Sequence, residues 1–189
     1  MTTQNKAPLT FNITDNILLK QIEITDAPDL FNTIDTQRDY LGKWLPFVDF
    51  TKEVSDTESF IRSIIETAPE SREYIFVIHC NHEFAGLIGF KDTDRLNRKT
   101  EIGYWLAESF QKKGIITRSV EKLCAFAFDE LDMNRIQIKC AVGNTPSKKV
   151  PQRLSFTFEG IERDGELLSD GKFTDLEIYS KLAAEGTNS

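Results

Sequence analysis

The chain has 189 residues, 40% of them hydrophobic and 14 of them Phe, which suits one globular domain with an ordinary apolar core and excludes a disordered chain. Its 23 Lys and Arg against 30 Asp and Glu leave a formal net charge of −7, which argues against a basic nucleic-acid-gripping face and for cationic partners. Residues 17–23 predict a first strand. Thr25-Asp26-Ala27-Pro28 then reads as a helix start, a capping side chain ahead of a first-turn proline, with Leu30, Phe31 and Ile34 as the apolar face. A second helix begins near Ser55 and carries Phe60, Ile61, Ile64 and Ile65 on one side. Between the two, Trp44-Leu45-Pro46-Phe47 is too aromatic for a solvated loop and reads as a packed connection or, less simply, the wall of a substrate cleft.

The middle of the chain is rich in strand signals. Residues 74–78 and 84–91 form an expected antiparallel hairpin around Asn81-His82-Glu83, followed by a strand over 101–106. A long helix starts at Gly114, with Ile116, Val120, Leu123, Cys124, Ala127, Phe128 and Leu131 in one stripe. A strand over 135–141, a short helix over 147–154 and a strand opening at Phe156 follow. The last hairpin is expected to hold Asp164-Gly165 and Asp170-Gly171 in its loop and to return as far as Leu182. Residues 10–182 are read as one domain and 183–189 as a frayed, disordered tail. The sum is an α/β chain with one mixed sheet and helices on its faces.

Met1-Thr2-Thr3-Gln4-Asn5-Lys6 lacks the apolar core of a signal peptide, and no apolar stretch approaches the ~20 residues of a membrane span, so a cytoplasmic protein without membrane attachment is expected. Cys80, Cys124 and Cys140 are odd in number and widely spaced, which suggests neither a disulfide framework nor a zinc site. His79 and His82 read as exposed residues flanking a turn rather than as metal ligands.

Gln111-Lys112-Lys113-Gly114-Ile115-Ile116-Thr117 joins a strand to the long helix. A glycine there admits a ligand close to the backbone, and the free N–H groups of the first helical turn favour an anion. GxxxxGK[ST] and GxGxxG are both absent, and the plain alternative is an ordinary strand-to-helix turn. Lys112, Lys113, Arg118 and Lys122, with Lys148 and Lys149 at the next helix, place cations where helix starts usually carry acids.

Glu101-Ile102-Gly103-Tyr104-Trp105-Leu106, the Gln-x-x-Gly turn at Gln111 to Gly114, and Asn144-x-x-Ser147 followed by Arg153-Leu154-x-Phe156 resemble the GNAT acetyltransferases. More narrowly they resemble the ribosomal-protein N-terminal acetyltransferases of the RimJ/RimL type, over about residues 17–182. The resemblance implies the GNAT fold, a mostly antiparallel sheet splayed between its fourth and fifth strands with acetyl-CoA in the gap. It assigns Gln111, Gly114, Ile116 and Thr117, with Lys112, Lys113, Ile115 and Lys149 beside them, to the cofactor's phosphates. Asn144 would meet the pantetheine arm or the substrate side, and Ser147 the thioester sulfur. Backbone N–H groups at Tyr104, Trp105 and Leu106 would serve the developing oxyanion. Glu166 matches an acidic residue credited with deprotonating the amine, and Glu101 competes with it. Ile116 departs from the small residue usual in the loop, and Ser155 stands where the family commonly has glycine.

The implied activity is acetyl transfer from acetyl-CoA, without metal, to a primary amine, foremost the N-terminal α-amine of a ribosomal protein. A small-molecule amine (polyamine, aminoglycoside or amino acid) is the alternative acceptor, and a catalytically silent CoA-binding sensor the alternative of another class. The resemblance leaves room for a homodimer. Asn144-Thr145-Pro146-Ser147 is also a good helix cap, Glu166 a plain turn residue, and Cys140 an apolar filler rather than an acyl carrier.

Overall fold

The apolar alternation that builds the sheet begins earlier than the strand read at 17–23. The computed structural model describes residues 7–67 and 73–186, and in it β1 (Thr10–Thr14) pairs with β2 (Ile17–Gln21). Asp15 and Asn16 make the two-residue turn, and Phe11 is buried while Asn12 stays exposed. Six strands follow: β3 (Ile75–Cys80), β4 (Glu83–Asp94), β5 (Lys99–Leu106), β6 (Arg135–Ala141), β7 (Thr157–Leu167) and β8 (Phe173–Leu182). Their order is β1-β2-β3-β4-β5-β6-β8-β7, and every neighbouring pair is antiparallel except β5 with β6.

Helices cover both faces, as expected from the fold class. On one face α4 (Ile115–Asp129) packs Val120, Leu123, Cys124 and Ala127 against Phe76, Ile78, Ile88, Ile102, Ile136 and Ile138. On the other, α1 (Ala27–Thr36) and α3 (Val54–Ile65) pack Leu30, Ile34 and Ile61 against Val77 and Leu87. Neighbours such as Phe76 and Val77 serve opposite cores because a strand alternates its side chains. Short α2 (Arg38–Leu41) follows α1, and α5 (Thr145–Arg153) follows β6.

The parallel contact is short. Lys99, Thr100 and Glu101 pair with Arg135, Ile136 and Gln137, and there the ladder stops. Counted from β2, the first strand read in the sequence, the splay falls between the fourth and fifth strands; with β1 included these are β5 and β6. Glu101 closes the vertex. It is 3% exposed, its Oε1 lies 2.8 Å from Lys91 Nζ, and its Oε2 accepts from Gln137 Nε2 at 3.0 Å.

Three local readings are corrected. Asp164-Gly165 is not in the hairpin loop but forms a bulge within β7, where the register jumps from Glu162 to Glu166; Asp164 takes a φ of 51° and its N–H donates to Asp175 Oδ1. A bulge needs the same αL-tolerant residues as a turn, so composition alone does not separate them. Glu166 accordingly lies on a strand, opposite Thr174. His79 belongs to β3 and is half-buried, and only His82 sits exposed in the turn. The expected tail begins as a 3-10 turn over Ala183–Glu185, closed by Leu182 N–H donating to Glu185 Oε2; residues 187–189 lie outside the described residues. No helix among the described residues is long and apolar enough to cross a membrane.

The hairpin that carries Glu166 is tied to β6 by charge. Arg135 donates through Nη1 and Nη2 to the two oxygens of Glu159, and Ser180 Oγ donates to the same carboxylate. The Arg135 bonds hold Glu159 down at about 2, against a smaller opposing effect of burial. Because the folded-state pKa is depressed, this stabilisation is present above the ordinary glutamate value near 4.3 and is lost as the pH falls toward 2. Glu159→Gln should therefore lower the unfolding free energy at pH 7 by less than about 1 kcal/mol for a partly exposed pair, read as a lower urea midpoint, and the two proteins' midpoints should converge across that acid window.

Candidate active site

Past Glu101, β5 presents a half-paired edge. Ala107 N–H donates to Ala85 C=O of β4 at 2.8 Å, so by alternation Trp105 bonds toward β4 while Tyr104 and Leu106 direct their backbone groups into the gap. There Tyr40 OH donates to Leu106 C=O at 3.3 Å. The N–H of Leu106 and both backbone groups of Tyr104 have no protein partner across the gap among the described residues.

The gap opens into a cavity of about 410 Å³. Of the residues expected at the cofactor, Tyr104, Trp105, Leu106, Gln111, Lys112, Gly114, Ile115, Ile116, Thr117, Asn144, Ser147 and Lys149 all line it. Lys113 does not; its ammonium lies 5.0 Å over the Phe110 ring. Gly114 has φ +73°, a left-handed conformation that precedes α4 without any capping side chain, and no acid stands in the first turn. The N–H groups of Ile115, Ile116 and Thr117 thus begin the helix uncapped beside the cavity, an arrangement suited to an anion.

The expected cations divide. Lys148 Nζ is held by Glu177 at 2.8 Å and Lys122 lies over Phe11, whereas Lys112 and Lys149 reach the cavity wall, where Arg153, not among those expected, joins them. Asn144 does what its helix-start sequence suggests: its Oδ1 accepts from Ser147 N–H at 3.3 Å. Ser147 Oγ donates to the Tyr104 hydroxyl at 3.3 Å and lies 3.4 Å from Cys140 Sγ, while Tyr104 OH donates to Ser147 C=O at 3.1 Å. Burial drives the Tyr104 phenol above its ordinary range, so it remains a donor. Burial also raises the Cys140 thiol to about 11, which leaves no useful thiolate at neutral pH.

Neither carboxylate expected at the chemistry forms part of the cavity wall. Glu101 is committed at the vertex, both oxygens engaged. Glu166 is partly exposed and makes no hydrogen bond or ion pair among the described residues, yet its charge acts on Lys91. Burial alone would lower the Lys91 pKa; the charge and hydrogen bond of Glu101, then Asp92 and Glu166, outweigh it and leave the value raised. The β7–β8 hairpin thus brings Glu166 toward the sheet face where Lys91 and Glu101 pair. Among the described residues no group of three or more His, Cys, Asp or Glu could hold a metal ion.

Sequence reasoning missed Tyr40, Leu41, Phe110, Thr145, Pro146, Val150 and Arg153, all in the wall. Tyr40 carried no signal, being one aromatic residue on a four-residue helix. Trp44 and Leu45 did carry one: Leu45 packs on the core beneath α1 and α3, as a packed connection would, and both residues line the cavity.

Known proteins share this architecture. The acetyltransferase (GNAT) domain family matches residues 16–157. YdaF of Bacillus subtilis (strain 168), which carries the name of a ribosomal N-acetyltransferase, is 37% identical over 183 residues, 93% of this chain and 96% of its own. Among solved structures, the ribosomal L7/L12 alpha-N-protein acetyltransferase RimL in complex with coenzyme A superposes with TM-score 0.87 at 26% identity, covering 92% of this chain and 98% of that one. The microcin C7 self-immunity acetyltransferase MccE, in complex with acetyl-CoA and AMP, gives 0.85 at 32% identity over 90% and 94%. With an open parallel contact, an uncapped helix start beside it and these relatives over nearly its whole length, the chain belongs to the GNAT acetyltransferase family.

Proposed function

We propose that this protein transfers the acetyl group of acetyl-CoA to the N-terminal α-amine of a ribosomal protein in the cytoplasm, without a resident metal. The observation that carries the reading is the cavity itself: uncapped helix amides, three cations, unpaired amides of β5 and a hydroxyl at Ser147 gathered in one wall. Bound there, acetyl-CoA supplies an activated thioester. The N–H groups of Ile115, Ile116 and Thr117, with Lys112, Lys149 and Arg153, hold its phosphates. Gly114 lets the pyrophosphate approach the backbone, and Gln111 and Asn144 flank the arm. The free amides of Tyr104 and Leu106 pair with that arm and receive the charge that develops on the carbonyl oxygen.

Glu166 accepts the proton released when the amine nitrogen bonds to the acetyl carbon. It is preferred to Glu101 because its carboxylate is unpartnered, whereas Glu101 is tied to Lys91 and Gln137. The departing thiolate takes its proton through Ser147 Oγ, which turns from Tyr104 and regains a proton from solvent water as it gives one up, while Glu166 later returns the amine's proton to solvent. An α-amine, with an ordinary pKa near 7.7–8.0, presents a substantial neutral fraction at neutral pH and asks less of a carboxylate base than a lysine does. The YdaF and RimL names support a ribosomal acceptor, and the acidic net charge suits a basic one.

Intact-mass analysis after incubation with acetyl-CoA should show one acetyl increment on ribosomal-protein N-terminal peptides and none on spermidine or aminoglycosides; the reverse pattern overturns the acceptor assignment. Acetyl-CoA and desulfo-CoA, but not ATP or NAD, should raise the melting temperature, a gain of about 2.7 kcal/mol at a hundredfold excess over Kd. Ser147→Ala should lower kcat at least tenfold with the acetyl-CoA Kd unchanged, measured by single turnover and calorimetry. Glu166→Gln should flatten the alkaline-rising limb of kcat/KM against pH, and an unaltered profile would remove Glu166 as the base.

A further inference from the structure

Tyr40 belongs to neither β5 nor the loop before α4, yet its hydroxyl joins the two at the cavity wall. It donates to Leu106 C=O at 3.3 Å, at the end of β5, and accepts from Gln111 Nε2, at the head of the loop that leads into α4. A second tie lies beside it: Glu108 N–H, at the start of the intervening 3-10 turn, donates to Gln37 Oε1 at 2.9 Å. The phenol is anchored from behind. Leu41, the next residue, is buried in the core beneath α1 and α3, and Tyr40 itself packs on that core. Arg38, on the same short helix, donates to Val48 C=O at 2.9 Å and to Thr51 C=O at 2.6 Å.

The direction of these bonds follows from what each atom can do. A carbonyl only accepts, so the single Tyr40 proton lies toward Leu106; the phenol oxygen then takes a donor, and only the NH2 end of the Gln111 amide can be one. Burial raises the Tyr40 pKa, so the proton stays in place at neutral pH. The Gln111 amide is thereby oriented. Its Oε1 has no hydrogen-bond partner among the described residues, although Gln111 lines the cavity. An amide that donates through its nitrogen becomes a stronger acceptor at its oxygen. Tyr40 thus occupies the Leu106 carbonyl and leaves the Gln111 carbonyl oxygen free in its place.

We infer that Tyr40 is a positioning residue for the cofactor's arm, orienting Gln111 so that its carbonyl oxygen accepts from an amide N–H of the pantetheine rather than its NH2 group meeting a phosphate. The inference rests on the acetyl-CoA reading and deepens it. A chain laid along the open edge of β5 needs an acceptor for each of its N–H groups, as a neighbouring strand would. Tyr104 C=O, free across the gap, is one such acceptor. Leu106 C=O is engaged by Tyr40, and Gln111 Oε1 supplies the second. The phosphates are left to the amides at the start of α4 and to the cations of the wall, which suit an anion as a carbonyl oxygen does not.

The experiment measures by calorimetry the affinities of wild type, Tyr40→Phe, Gln111→Leu and the double variant for two probes, acetyl-CoA and 3′-phospho-ADP, which keeps the pyrophosphate and lacks the arm. Each single variant should bind acetyl-CoA about tenfold more weakly and the armless probe within about twofold of wild type. Tyr40→Phe should add less than about twofold in the Gln111→Leu background, because the phenol acts through that amide. In steady state Tyr40→Phe should raise KM for acetyl-CoA about tenfold with kcat within about twofold of wild type. Gln111→Leu leaves the Tyr40 ring in place on the core, so its loss on one probe and not the other is read apart from any effect on folding. Equal weakening of the two probes in Gln111→Leu, full additivity in the double variant, or undiminished acetyl-CoA affinity in either single variant overturns the inference. Wild type that binds neither probe defeats the acetyl-CoA reading instead, and this inference falls with it.

Discussion

The structure turns on where a hydrogen-bonded ladder ends. β5 and β6 share three residue pairs and then part, and everything proposed for the site follows from that separation. A sheet that ran on would satisfy the amides of Tyr104 and Leu106 and leave no room for a ligand. Buried backbone groups without partners are costly, so an open edge persists only where water or a ligand completes it. The vertex is correspondingly well tied: Glu101 reaches Lys91 on one neighbouring strand and Gln137 on the other. Neither tie is interchangeable with an apolar contact, because removing one partner strands a buried charge.

The cavity wall and the β7–β8 hairpin beyond it differ in electrostatic character. The wall holds the uncapped start of α4 together with Lys112, Lys149 and Arg153, although the chain as a whole is acidic. Toward the β7–β8 hairpin, most carboxylates are claimed by neighbours: Glu159 by Arg135, Glu162 by Lys139 and Glu177 by Lys148. Glu166 stands apart from this pairing. The cavity wall thus carries cations and no carboxylate, while an uncommitted carboxylate stands on the neighbouring hairpin.

Much of the architecture was legible because it rests on local signals. The α4 stripe, the strand 135–141 and the Asn144 cap follow from periodicity and turn chemistry, and the loop at Gly114 follows from one glycine before an apolar helix. Other features depend on pairings the chain does not announce. Asp164-Gly165 has the composition of a turn and the geometry of a bulge, a difference decided by β8. Glu101 has the residue type of a base and the surroundings of a structural clamp, which only the approach of Lys91 and Gln137 reveals. Tyr40 was illegible because its partners, Leu106 and Gln111, lie 66 and 71 positions away.

That separation bears on how the molecule is assembled. The roof over the cavity comes from the first quarter of the chain, while its floor and sides come from residues beyond Tyr104. Closing such long loops is entropically expensive and comes late relative to hairpins and helices. During synthesis residues 40–45 emerge first, so a nascent chain cannot possess the cavity until β5, α4 and α5 are in place. The cavity is therefore a product of long-range docking between distant stretches of chain and belongs to no single helix or hairpin.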